Sequence, residues 1–285
     1  MLLLSLIREP FITEPFIREP MQGLLTFLGT GTSMGVPTLG CGCPVCTSSD
    51  AHDKRLRPSA MLRWQDAGGR ERTVIIDTGP DFREQALRAG LKRIDAIFYT
   101  HAHADHIMGM DDLRPLSFAV ERESGEAIPL YAAPQTADVL ERVYEYTFSP
   151  DATYATRARV KLEPLHDRVA VHGVDFLRVP VLHGKMEIAG FRFGRAAYFT
   201  DVSAIPEASF ALLAGLDVLV LSALRHKPHP SHASLAEAVS WAQRIGARQT
   251  WLTHMSHDLG HEETNRSLPE NIKLAYDGLS VPVLL

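Results

Sequence analysis

Short apolar runs alternate with stretches of helical spacing from Leu24 to Leu284. Runs of about four to eight apolar residues bounded by turn residues read as strands, and apolar residues recurring every three or four positions read as one face of a helix. Strands are therefore predicted at 24–28, 59–64, 73–77, 96–100, 128–132, 175–182, 196–200, 218–221, 250–253 and 281–284. Asp66-Ala67-Gly68-Gly69 between the second and third of these predicts a hairpin. Helices are predicted over 81–91 and 136–148, from Ile107 to Leu116, from Ser234 to near Gly246, and around Leu268, Ile272 and Ala275. Ser234 followed by Glu237 is a capping box. Residues 121–127 are polar and predict a loop. Strands and helices alternate in both halves of the chain, which predicts two packed sheets with helices outside, an α/β sandwich.

Residues 1–20 break this pattern. Met1-Leu2-Leu3-Leu4-Ser5-Leu6-Ile7 is too short to span a membrane, and it lacks a basic leader and a small-residue cleavage site. Prolines at 10, 15 and 20 then disfavour any regular element. The expectation is a disordered extension over 1–20 and one domain over 21–285.

Composition narrows the class. At 285 residues, 45% hydrophobic and 22% charged, the chain can bury a sizeable core. A net charge of −5 argues against long nucleic acid as a partner held mainly by electrostatics. The three cysteines, Cys41, Cys43 and Cys46, lie within one short stretch. That is a poor disulfide framework and a good metal knuckle for a reducing, cytoplasmic setting. Three thiolates leave tetrahedral zinc one ligand short, and with no fourth cysteine the missing ligand is expected to be a histidine.

The densest chemistry is Thr100-His101-Ala102-His103-Ala104-Asp105-His106, directly after an apolar run. One local loop cannot easily wrap a single ion with four such groups. Divided, they begin two adjacent sites. The same event recurs along the chain: apolar runs end in Asp77, His101, His183, Asp201 and His254. Strand ends gathered at one sheet edge give rigid ligand geometry with loops free to hold a substrate. At Asp77 the residues leave three readings open: ligand, support for a ligand, or turn residue. His166 and His172 stand alone and read as incidental. Gly29-Thr30-Gly31-Thr32-Ser33-Met34-Gly35 lacks the Walker lysine and reads either as a phosphate cradle or as a tight loop.

HxHxDH at 101–106, with His183, Asp201 and His254 downstream, resembles the metallo-β-lactamase superfamily. The resemblance implies an αββα sandwich with two metals at one sheet edge. It places His101, His103 and His183 on one ion, Asp105, His106 and His254 on the other, and Asp201 between them. CxCxxC before that motif and His254-Met255-Ser256-His257 after it resemble the PhnP-type phosphodiesterases, which accompany the carbon–phosphorus lyase pathway and act on phosphoribosyl 1,2-cyclic phosphate. This narrower resemblance implies a structural Zn²⁺ on Cys41, Cys43, Cys46 and His257, a substrate-contacting His232, and a homodimer. The expected activity is hydrolysis of a small, cyclic phosphodiester by a metal-bridging hydroxide. Asp105 and His232 would be the catalytic groups, and Asp77 would orient the metal loop by hydrogen bonds. Arg114 and Arg225 are candidate phosphate contacts. Mixed His/Asp donors admit Mn²⁺ as readily as Zn²⁺ in the active pair. Two rival readings are a tRNA 3′-processing-type nuclease, which shares HxHxDH, and a non-catalytic carrier like the PqqB proteins.

Overall fold

The computed structural model describes residues 21–150 and 156–285. The expected extension over 1–20 lies outside the described residues. In chain order the elements are β1 (Gln22–Gly29), β2 (Ser59–Gln65), β3 (Glu71–Ile76), α1 (Phe82–Arg88), β4 (Ala96–Phe98), α2 (Ala104–Ile107), α3 (Arg114–Ser124), β5 (Ile128–Ala132), α4 (Pro134–Val143) and α5 (Glu145–Phe148). They continue with β6 (Val160–Pro164), β7 (Arg168–Val171), β8 (Val174–His183), β9 (Met186–Phe193), β10 (Ala196–Tyr198), α6 (Glu207–Ala211), β11 (Val218–Ser222), α7 (Leu235–Ile245), β12 (Gln249–Thr253), α8 (His261–Ser267), β13 (Ile272–Leu274) and β14 (Ser280–Leu284).

The strands form two seven-stranded sheets, ordered β14-β1-β2-β3-β4-β5-β6 and β13-β12-β11-β10-β9-β8-β7. Each sheet is antiparallel in one part and parallel in the other. β3 through β6 run parallel in the first sheet, and β10 through β13 in the second. Parallel strands end on one edge, so the residues that follow β3, β4, β10 and β12 gather there. β8 reaches the same edge because two antiparallel pairings, β8 with β9 and β9 with β10, return it to that direction.

Alternation along the strands explains the layers. Val74, Ile76, Ala96 and Phe98 point between the sheets, against Phe176, Phe191, Tyr198 and Val220. Their neighbours Ile75 and Ile97 point outward beneath Phe82, Leu113 and Leu140, from the helical layer over the first sheet. On the second sheet Leu219, Leu221 and Leu252 pack under Leu235, Ala238 and Ala242 of α7. Successive strand side chains face opposite ways, so a strand covered on both faces must be apolar at every position. Burying each such side chain contributes about 1.5–3 kcal/mol. The result is the αββα metallo-β-lactamase sandwich.

Several local expectations are corrected. The helix expected from Ile107 to Leu116 is divided: α2 stops at Ile107, a single 3₁₀ turn spans Met110–Leu113, and α3 starts at Arg114. Gly109 lies in the break, where no side chain fits, because a Cβ there would lie 2.0 Å from the Gly79 carbonyl oxygen. Pro115 then fits the first turn of α3, where no N–H is needed. α3 runs through the supposed loop at 121–127 as far as Ser124 and ends on left-handed Gly125. The helical spacing of Leu268, Ile272 and Ala275 misleads: Pro269 forces Leu268 into extended backbone, the helix lies earlier, and Ile272–Leu274 is a strand. β6, β7 and β9 were not anticipated. β9 is masked by Gly190, which is small because a Cβ would lie 2.1 Å from the Phe199 ring.

Candidate metal centre

Three strand ends share one backbone device. Asp77, Asp201 and His254 follow β3, β10 and β12 with φ of 63°, 57° and 57°. These are left-handed values that side chains other than glycine rarely adopt. Each turns its side chain over the sheet edge. The loop Asp77-Thr78-Gly79 then docks under the ligand loop, with the Thr78 N–H donating to the His106 carbonyl at 2.8 Å. Only glycine fits at 79, where a Cβ would meet the Asp105 carbonyl oxygen at 2.1 Å.

Two groups of donors result. His101, His103 and His183 can each offer one ligand atom, all within 4.8 Å of one another. Asp105, His106, Asp201 and His254 form a second such group. In it, His106 Nε2 lies 3.2 Å from Asp105 Oδ2 and 3.1 Å from Asp201 Oδ2, and His254 Nε2 lies 3.1 Å from Asp201 Oδ1. Asp201 also clusters with His183 and His232, so it stands between the groups. All seven expected ligands are brought together, and all but His103 are buried.

A ring of hydrogen bonds aims these donors. His106 Nδ1 donates to Asp77 Oδ2 at 2.7 Å, and Asp77 also accepts the Thr100 N–H and hydroxyl, each at 2.8 Å. Asp77 thus joins neither donor group and is hydrogen-bonded to Thr100 and His106 of the loop that carries them. His183 Nδ1 donates to the Ser231 carbonyl at 2.6 Å. The Thr200 hydroxyl donates to Asp201 Oδ2 at 2.7 Å. Tying up Nδ1 fixes the tautomer and leaves Nε2 as the donor.

The chemistry of the donor set fits divalent cations. His101 Nε2, His106 Nε2, His254 Nε2 and Asp105 Oδ2 are buried with no hydrogen-bond partner among the described residues. A buried polar atom left unpaired costs about 1–3 kcal/mol. Burial and the neighbouring His106 hold His101 well below the usual imidazole range, in its neutral form. Burial opposes charge on Asp105 and Asp201, but the facing histidines outweigh it and keep both below the ordinary carboxylate range. Burial likewise disfavours charge on His106, yet Asp201, Asp105 and Asp77 raise it well above its ordinary value. Neutral imidazole and ionised carboxylate are the ligand forms, so His101, Asp105 and Asp201 are ready to bind, whereas on His106 a cation would take the place of the proton that the three carboxylates favour.

Beside this centre lies a cleft of about 280 Å³, lined by Thr32, Ser33, Arg225, His229 and His232 among others. A larger cleft of about 500 Å³, by Met21, Gln65 and His172, holds none of the expected ligands. His232 faces the centre, with Nδ1 3.6 Å from Asp201 Oδ1, and burial together with His254 pushes its pKa down to about 3. Arg225 donates to the Lys227 and Pro228 carbonyls of its own loop while lining the cleft. Arg114 pairs with Asp111. The glycine-rich turn is a tight loop at its start: a Cβ at Gly29 would lie 2.0 Å from the Arg57 carbonyl oxygen, and Thr30 is tied to Asp277. Its later residues, Thr32 and Ser33, line the cleft. His229 was missed by sequence reasoning; its ring centroid is 5.0 Å from that of His232.

Next to the same cleft, Cys41, Cys43, Cys46 and His257 converge within 4.8 Å. His257 Nδ1 lies 3.3 Å from the sulfurs of both Cys41 and Cys46. The Thr38 N–H donates to Cys46 Sγ at 3.3 Å, and the Cys46 N–H to Cys43 Sγ at 3.4 Å, which pulls the Cys43 thiol pKa down.

Comparisons with known proteins identify the family. The family model of the β-lactamase superfamily domain matches residues 72–255. The crystal structure of a new diphosphatase from the PhnP family is 54% identical, covers 94% of this chain and 100% of its own, and superposes with a TM-score of 0.85. An octanoyltransferase of Porphyromonas gingivalis is 37% identical over 88% of this chain and 50% of its own length. A coenzyme PQQ synthesis protein B of Methylobacterium nodulans is 32% identical over 33% of this chain and 34% of its own. The chain thus spans about half, or less, of the length of these curated relatives. No helix among the described residues is long and apolar enough to cross a membrane.

Proposed function

Because this chain belongs to the β-lactamase superfamily and, within it, to the PhnP family of metal-dependent hydrolases, we propose that it is a binuclear phosphodiesterase acting on a small, cyclic phosphodiester. The observation that carries this reading is the pair of donor groups meeting at Asp201 beside a small cleft. His101, His103 and His183 would hold one divalent ion. Asp105, His106 and His254 would hold the other, with Asp201 shared. Bound there, Mn²⁺ or Zn²⁺ supplies Lewis acidity that lowers the pKa of water and neutralises charge on the phosphoryl oxygens. The protein's own part is positioning. Asp77 holds the Nδ1 proton of His106 and so keeps Nε2 directed inward. His232 offers an imidazole N–H to a phosphoryl or leaving oxygen, and Arg225 adds positive charge at the cleft wall. Cys41, Cys43, Cys46 and His257 would hold Zn²⁺ as a brace on the segment that carries His254.

The size of the cleft supports a mononucleotide-sized substrate. A second reading, cleavage of a diphosphate linkage, is favoured by the 54% identical relative described as a diphosphatase. One assay addresses all of these. Protein loaded with Mn²⁺ is given bis(p-nitrophenyl) phosphate, a ribose 1,2-cyclic phosphate, a diester of diphosphate and a tRNA precursor. Turnover of the cyclic phosphate is expected, with His101→Ala about 10³-fold slower, corresponding to the several kcal/mol that an ion contributes. Turnover of the tRNA or the diphosphate alone would select the corresponding rival. No turnover of any substrate, with His101→Ala indistinguishable, would leave the carrier reading.

A further inference from the structure

A third set of ligand-type side chains lies apart from both groups described above. His52 sits on the 3₁₀ turn Ala51–Asp53, a few residues beyond the cysteine loop. His261 and Glu262 open α8, just beyond His257. The three can each present one ligand atom, all within 4.8 Å of one another.

Two observations separate this set from an ordinary pair of surface histidines. His261 is 6% exposed, and its Nδ1 has no hydrogen-bond partner among the described residues. That buried, unpartnered nitrogen belongs to a ring that can present a ligand atom to the other two side chains. On the opposite side, Asp50 Oδ1 lies 3.3 Å from His52 Nδ1 and accepts the His52 backbone N–H at 2.9 Å. A carboxylate at one ring nitrogen is the usual partner of a metal-binding histidine, since it sets the ring's orientation and leaves the other nitrogen to donate. The scaffold is fixed as well. Asp53 Oδ1 accepts the His261 N–H at 2.9 Å, and the buried Arg55 guanidinium donates to the carbonyls of Ser256 and Leu259 at 2.8 and 2.6 Å. Tyr276 closes one face of His52, with ring centroids 4.2 Å apart.

We propose that His52, His261 and Glu262 form a further divalent-cation site, suited to Zn²⁺ by two imidazoles and a carboxylate, that ties the segment after the cysteine loop to the start of α8. Three protein ligands leave an open position for water. The site joins the same two stretches of chain as the cysteine cluster does, but at a second point. It is independent of the phosphodiesterase reading.

The test counts metal. Full-length protein is titrated with Zn²⁺ alone against a chromogenic chelator, and bound metal is measured after dialysis. His52→Ala is expected to bind one equivalent fewer than the unaltered chain, and Glu262→Gln to bind that equivalent about 10-fold more weakly. Both side chains are solvent-accessible, so neither change should unfold the domain. Loading with Co²⁺ provides a separate signal, because thiolate-to-cobalt absorption reports the cysteine cluster alone. That band should be the same in the unaltered chain and in His52→Ala. Identical Zn²⁺ stoichiometry and affinity in all three proteins would overturn the assignment. So would loss of the thiolate band in His52→Ala, which would make the two clusters one site.

Discussion

The His/Asp centre and the cysteine cluster solve the same problem by opposite means. The first hangs on strand ends, is almost wholly buried, and has its donors aimed by Asp77, Thr100 and Ser231 before any ion is considered. The second is built from a loop with no strand in it, and Cys41, Cys43 and His257 are only half-buried. Its shape rests on two N–H···S hydrogen bonds and on the approach of His257. The sheet and its hydrogen-bonded supports preorganise the first, whereas the loop cluster has fewer fixed supports and would gain order from an ion held there. The first suits chemistry, where small displacements cost rate. The second suits bracing, where ion binding is itself folding energy.

Each half of this contrast can be attacked separately. Asp77→Ala should lower metal affinity at the His/Asp centre and the proposed phosphodiesterase activity by about 10–100-fold while leaving the proposed zinc of the cysteine cluster in place, measured by metal analysis and kcat/KM. An unchanged enzyme would mean that the strand end, not its hydrogen bonds, holds the loop. Cys41→Ser should do the converse. It should lower Tm by several degrees and raise susceptibility to chelators, with kcat of the folded fraction changing by less than about 10-fold. A loss of kcat as large as that of His101→Ala would place the cysteine cluster in the catalytic machinery. The smallest effect is a control at a site remote from both. The Arg70 N–H and the Arg72 guanidinium hold the Asp66 carboxyl below its ordinary 3.8. A depressed folded-state pKa contributes stability above the unfolded value, and this is lost as pH falls through the folded one. Asp66→Asn should therefore be slightly less stable than the unaltered chain at pH 7, with the gap closing below about pH 4 in urea titrations, and neither metal cluster affected.

Much of the centre was legible because Asp77, His101, His183, Asp201 and His254 each sit where a hydrophobic run stops. The order strand, then His or Asp, is a one-dimensional signal, and HxHxDH concentrates it. Threonine adds a quieter one: Thr100, Thr200 and Thr253 each precede a ligand, and the first two hydrogen-bond at the site. His229 carried no such mark, since it lies in a proline-rich loop and reaches the cleft only through the fold. The same limit explains the misread elements. Gly190 and Gly109 look like breaks in sequence, but each is small because another part of the chain passes within about 2 Å of where a side chain would begin. Leu268, Ile272 and Ala275 imitate a helix because a strand also buries alternate residues, and Pro269 was the discriminating residue.

The left-handed backbones at Asp77, Asp201 and His254 have one more consequence. Each conformation costs of order 1–3 kcal/mol, and in each case the residue that bears the cost is a donor of the centre or its hydrogen-bonded support. Glycine would relax the chain at all three, but it would remove a donor at Asp201 and His254 and the hydrogen-bonded support at Asp77. A screen that rewards thermal tolerance alone would therefore select against the centre one strand end at a time, and stabilised variants meant to keep turnover must be sought at other positions.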